Sequence, residues 1–122
     1  MEKILVVDDE VQVVETLKEF LSAKDYEVHT ATNGLEALEI MQKVKPRLVL
    51  LDIIMPGMGG IDILKEMKKI DPHVGVIMAT AVVDEEIAKR TLQLGAYDYI
   101  TKPFNLDYLE TVMMVKIAEL TG

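Results

Sequence analysis

The chain has 122 residues, 50% hydrophobic and 28% charged, a balance that suits one globular core and excludes a disordered or low-complexity chain. Thirteen Lys and Arg against 21 Asp and Glu give a formal net charge of -8, which excludes the clustered basic surface that nucleic-acid binding draws on. With no cysteine there is neither a disulfide framework nor a thiolate metal site, as suits a reducing cytoplasm, and the opening "MEKILVVDDE" meets acids too soon for a signal peptide or a membrane span.

Read in chain order, apolar runs alternate with amphipathic segments five times, the pattern of repeated βα units. "KILVV" predicts a first strand, followed by a helix in which Val14, Leu17 and Leu21 recur at helical spacing. "EVHTA" is the second strand. Asn33 with Glu36 matches a capping box opening the second helix, where Leu35, Leu38 and Gln42 recur less cleanly and Ala37, Ile40, Met41 and Val44 supply the inner face. "RLVLL" is the third strand, and Met55-Pro56 with Gly57, Gly59 and Gly60 form a turn into a helix containing Ile61 and Leu64. "VGVIM" is the fourth strand; Asp84 then precedes an acidic first turn, and Gly95 ends that helix. "YDYI" is the fifth strand. The first, third and fourth runs are continuous and aliphatic, as strands buried on both faces should be, so they are expected at the centre. Short connections between parallel strands imply right-handed crossovers, and the expected architecture is a doubly wound α/β sandwich forming one domain over 1–122.

The last helix, "NLDYLETVMMVKIAEL", carries two stripes at about 100° per residue. Leu106, Leu109, Met113, Ile117 and Leu120 are expected in the core. Tyr108, Val112 and Val115 lie nearly opposite and are expected to be an exposed strip, available to a dimer mate or a downstream module. The chain closes on "AELTG", where a linker to an effector would begin.

Ligands of such sheets bind beyond the carboxyl ends of the strands, where the strand order reverses. The residues that fall there are Asp8 and Asp9, Asp52, Thr80 and Lys102. An acid after one strand is an ordinary helix cap, and a lone Lys an ordinary solvated charge. Three carboxylates on one rim repel one another, however, and require compensation by the lysine or a divalent cation. Hard oxygen ligands point to Mg²⁺, which takes one or two carboxylates and leaves room for a phosphate. His29 and His73 stand apart without a partner motif and read as structural or surface residues. A metal-bound site with a free carboxylate, a hydroxyl and an ammonium is suited to phosphoryl transfer, with the carboxylate itself as nucleophile.

With "VVDDE", "LLDIIMPGMGG", "MATA" and "YITKPF" in place, the chain resembles over its whole length the receiver domain of two-component response regulators, the CheY-like fold. The resemblance implies a five-stranded parallel sheet of order 2-1-3-4-5, a flavodoxin-like three-layer sandwich. It makes Asp52 the phosphoacceptor, Asp8 and Asp9 the acidic pair holding Mg²⁺, and the carbonyl of Ile54 a further ligand. Lys102 would pair with the phosphoryl group and Thr80 would hydrogen-bond it, Ala81 would leave space beside it, and Tyr99 would turn inward as Thr80 moves. Lys102-Pro103 would be a cis peptide. The implied donor is a sensor histidine kinase or a histidine phosphotransfer protein. The implied output passes through the last helix to a homodimer or effector, without nucleic acid or membrane contact by this domain. Many receivers carry Asp where Gly59 stands, and glycine caps the following helix less well by roughly a few tenths of a kcal/mol.

Ile54 and Val82 occupy the variable positions flanking the acyl phosphate, and being apolar neither can orient an attacking water, so slow self-dephosphorylation is expected. Two competing functions remain. A dehalogenase-type aspartate phosphatase wants a second acid two residues after its nucleophile, where this chain has Ile54. A receiver-like binding module signalling without phosphorylation would not need Asp8, Asp9, Asp52, Thr80 and Lys102 together.

Overall fold

A computed structural model describes residues 1–121; Gly122, the last residue of "AELTG", lies outside the described residues. Strands β1 (Lys3–Val7), β2 (Glu27–Ala31), β3 (Leu48–Leu51), β4 (Gly75–Thr80) and β5 (Asp98–Thr101) alternate with helices α1 (Val11–Ser22), α2 (Gly34–Val44), α3 (Gly60–Ile70), α4 (Glu85–Gln93) and α5 (Leu106–Thr121). Every pairing is parallel and the order is β2-β1-β3-β4-β5. The aliphatic runs are central as expected, because a strand with neighbours on both edges and helices on both faces meets no water. β4 runs on past "VGVIM" through Ala79 and Thr80, since Thr80 still pairs with Thr101.

Alternation along β1 sends Ile4 and Val6 to one face and Leu5 and Val7 to the other. The first face is covered by Val14, Leu17 and Leu21 of α1 and by Leu109 and Met113 of α5. The second is covered by Ala37 and Met41 of α2 and by Ile63, Leu64 and Met67 of α3. Each such Val, Leu, Ile or Met side chain, fully removed from water, contributes about 1.5–3 kcal/mol before conformational entropy is set against it. Only Thr91 of α4 is buried, and its hydroxyl is spent on the Ala88 carbonyl at 2.8 Å. Helix α4 thus buries little of itself and is capped by Asp84, whose Oδ1 accepts from the N–H groups of Glu86 (2.9 Å) and Ile87 (3.2 Å).

The expected inner face of α2 holds at Ala37 and Met41, and one expected face of α5 is corrected. Leu35 is 72% exposed and Gln42 is exposed, while Gly34, Ala37 and Met41 face inward. Helix α2 turns its smallest residue toward α3, so closely that a Cβ on Gly34 would lie 2.9 Å from Ile63 Cδ1, and Leu35, a third of a turn away, is carried outward. On α5, Tyr108 and Val115 are exposed, but Val112 packs against the core beside Leu109. At about 100° per residue Val112 lies within a quarter turn of the buried stripe, so only the rest of the opposite strip, joined by Met114, faces water.

Candidate functional site

Asp8 follows β1 and Asp52 follows β3, neighbouring strands whose final residues Val7 and Leu51 are paired. The chain leaves β1 toward β2 on one side and returns to β3 on the other, so the two aspartates flank the reversal of strand order. The sheet ladder continues one residue beyond each strand. The Asp8 N–H donates to the Ala31 carbonyl at 3.1 Å and the Asp52 N–H to the Val7 carbonyl at 3.0 Å. Across β4, the Lys102 N–H donates to the Thr80 carbonyl at 2.7 Å, which brings the lysine to the same rim. Lys102-Pro103 is a cis peptide.

Lys102 Nζ donates to Asp8 Oδ2 at 2.6 Å, to Asp52 Oδ2 at 3.2 Å and to Glu10 Oε1 at 3.3 Å. Asp8 and Asp52 are only 3% and 5% exposed, so they depend on this ammonium for compensation. Burial works against the charge on Lys102, but its hydrogen bond to Asp8 and the charges of Asp8 and Asp52 outweigh it and hold the lysine protonated well above its ordinary range. Three carboxylates facing one ammonium leave an excess of two negative charges. Burial pushes the Asp8 carboxyl above its ordinary value, and the hydrogen bonds from Lys102 and the Glu10 N–H only partly oppose it.

That shift has a consequence for stability. The folded protein holds the Asp8 proton more tightly than the unfolded chain, so this contribution is full below the ordinary value of 3.8 and is lost as pH rises through the raised one. At neutral pH Asp8→Asn therefore raises the thermal midpoint of the metal-free protein, by about 4 °C per kcal/mol recovered. Thermal unfolding in chelator, at pH 7 and again near pH 3.5, checks this, and the gain should shrink at the lower pH.

Carboxylate oxygens of Asp8, Glu10 and Asp52 lie within 4.8 Å of one another. Their hard-oxygen chemistry and surplus negative charge fit a divalent cation such as Mg²⁺. Sequence reasoning missed Glu10. The third acid of "VVDDE" was the available signal, and its position at the head of α1 is what carries its carboxylate back to Lys102. Asp9 is exposed and stands outside this cluster. Ile54 joins the site through its backbone N–H, which donates to Asp52 Oδ1 at 3.4 Å, while its side chain is 65% exposed.

Thr80 and Tyr99 meet at a single residue. Thr80, fully buried, accepts the Val82 N–H on its hydroxyl at 3.3 Å, and the Tyr99 hydroxyl donates to the Val82 carbonyl at 2.7 Å. His29 is bonded to Glu27 on β2 at 2.7 Å and His73 is exposed, so neither histidine belongs to the rim.

A doubly wound α/β domain whose buried strand-end aspartate faces a lysine across a carboxylate cluster is the class that fold and site define. Comparison narrows it: the family model described as response regulator receiver domain matches residues 4–114, and the chain belongs to that family. It is 44% identical over 106 residues to sporulation initiation phosphotransferase F of Bacillus subtilis, covering 87% of this chain and 86% of that one. It is 41% identical over 111 residues to the regulatory protein AtoC of Escherichia coli, covering 91% of this chain but 24% of the longer protein. The crystal structure of a CheY-like receiver domain protein from Methanospirillum hungatei superposes with a TM-score of 0.96 at 31% identity, over 99% of this chain and 97% of that one. The chain is a phosphorylation-activated receiver, a signalling switch of the two-component type. Receivers of this family work with histidine kinases and are often fused to effector domains. Among the described residues no helix is long and apolar enough to cross a membrane.

Proposed function

We propose that Asp52 is the phosphoacceptor and that a sensor histidine kinase or histidine phosphotransfer protein is the donor, in the cytoplasm and with Mg²⁺ required. The observation that carries this reading is a buried strand-end carboxylate with an oxygen 3.2 Å from a buried ammonium, at the point where the sheet reverses. An Asp52 oxygen attacks phosphorus in line, the bond from phosphorus to the donor nitrogen breaks, and the leaving imidazole keeps that electron pair. Asp8, Asp9, Asp52 and the Ile54 carbonyl would hold Mg²⁺, which would supply positive charge opposite the transferring oxygens. Lys102 offsets the charge of another phosphoryl oxygen and the Thr80 hydroxyl donates to a third. The Thr80 hydroxyl also accepts the Val82 N–H, and Tyr99 holds the carbonyl of that same residue, so a Thr80 that turns toward the phosphoryl group carries its movement to the β4–α4 loop and the lightly packed α4. Tyr108 and Val115, with Val112 at their edge, are the proposed contact of α5 for a homodimer or effector. The domain, 1–122, does not itself contact nucleic acid or membrane in this reading.

Intact mass after incubation with Mg²⁺ and acetyl phosphate tests it. One added phosphoryl group is expected, lost in chelator and in Asp52→Asn; a gain that survives in Asp52→Asn would refute the assignment. The apolar flanks Ile54 and Val82 predict a long-lived phosphoryl group. Val82→Glu or Ile54→Asn should shorten its lifetime on the order of tenfold, short of the roughly hundredfold of a fully positioned base. Unchanged decay in both variants, followed by mass after donor removal, would assign the lifetime to other groups.

A further inference from the structure

We propose that Glu10 is a positioning residue for phosphoryl entry, a releasable partner that holds Lys102 until an anionic donor displaces it; this rests on Asp52 being the acceptor. An ammonium has three N–H donors, and here three carboxylates take all of them. These partners are not equivalent. The Asp8 and Asp52 side chains are 4% and 7% exposed, and parting either from Lys102 would strand a buried charge. The Glu10 side chain is 62% exposed and can let go into water at little cost.

The backbone of Glu10 is fixed, and its exposed carboxylate reaches Lys102. Its N–H donates to Asp8 Oδ1 at 3.0 Å and its carbonyl accepts the Val14 N–H at 3.1 Å, yet its side chain makes no cap bond to α1. Glu10 and Lys102 stand together in the wall of a groove of about 630 Å³, with Val13, Ala81, Pro103 and Phe104 among its apolar lining. An anionic phosphodonor that pairs with Lys102 must win one Lys102 donor from Glu10, the exposed one of its three partners.

The test compares Glu10→Gln and Glu10→Asp with the native protein at saturating Mg²⁺, a level determined for each. Glu10→Gln removes the charge, and Glu10→Asp keeps the charge but shortens the reach. Both should be phosphorylated by acetyl phosphate about threefold faster, the size of one exposed ion pair. With phosphoramidate, which carries less negative charge, the gain from Glu10→Gln should be smaller. In the metal-free protein the Lys102 ¹⁵Nζ resonance should shift in both variants. Native rates in both variants, a Glu10→Asp protein that behaves as native, an effect that vanishes at saturating Mg²⁺, or an unmoved Lys102 resonance would each overturn the proposal. Failure of the native protein to take up phosphate would instead overturn the assignment of Asp52.

Discussion

Lys102→Met lowers the stability of the metal-free protein by about 3 kcal/mol, the cost of leaving buried charge without its partner. The variant keeps most of the side chain's volume and removes only the cation. Asp8 and Asp52 then face each other in a buried rim with nothing to compensate them. Added Mg²⁺ should return part of the loss, because a ligand that binds only the folded state stabilises it by mass action. Urea unfolding with and without Mg²⁺ reads both effects. The opposite sign expected for Asp8→Asn follows from the same surplus of negative charge, so the two variants bracket one electrostatic account. An unchanged urea midpoint in Lys102→Met would mean that solvent already screens the rim.

Gly60→Ala should be as damaging by a different route. A Cβ at Gly60 would lie 2.2 Å from the Asp52 carbonyl oxygen and 2.6 Å from Ile53 Cα, both backbone atoms that cannot rotate aside. The Gly60 N–H also donates to the Ile53 carbonyl at 2.8 Å, which stitches the start of α3 to the loop leaving Asp52. Either α3 or the phosphoacceptor segment has to move, at a cost of about 3 kcal/mol, the upper end of ordinary overpacking. Phosphorylation of whatever remains folded should slow with it. Gly59→Ala is the control, since the nearest neighbour of its Cβ would be 3.9 Å away. Gly59→Asp should be stabilising by roughly a few tenths of a kcal/mol, because Gly59 caps α3 without any side-chain bond. Equal urea midpoints for Gly60→Ala and Gly59→Ala would refute the close-approach argument.

The strands were legible because burial on both faces leaves a plain mark: "KILVV", "RLVLL" and "VGVIM" carry nearly unbroken aliphatic runs, and β1, β3 and β4 are the interior strands. Strand order was not in the periodicity and came from the resemblance. The caps at Asn33 and Asp84 were readable because their chemistry is local; the Asn33 side chain accepts the Glu36 N–H at 2.9 Å. Val112 was misplaced for the converse reason. Which face of an amphipathic helix turns inward depends on how closely a neighbour approaches, and a residue near the boundary of a stripe follows that packing rather than its own hydropathy.

The same division runs through the site. Asp8, Asp52 and Lys102 follow strands and Thr80 ends one, so reading strand ends located them. Glu10 follows a turn of chain after β1, and its contact with Lys102 spans 92 residues of sequence. No local pattern announces such a contact. Asp9, its neighbour in the run, is exposed and stands outside the carboxylate cluster, although the resemblance makes it a ligand. The clamp on Val82 was likewise hidden, since the Tyr99 hydroxyl reaches a backbone carbonyl that any residue would supply.

Borohydride reduction of the phosphorylated chain, followed by peptide sequencing, tests the central claim most directly, because an aspartyl phosphate is converted to homoserine where it stood. Homoserine at position 52 alone is the predicted result. Homoserine at position 8 or 9, or a phosphoryl group that resists reduction, would contradict the assignment of Asp52 as the acceptor.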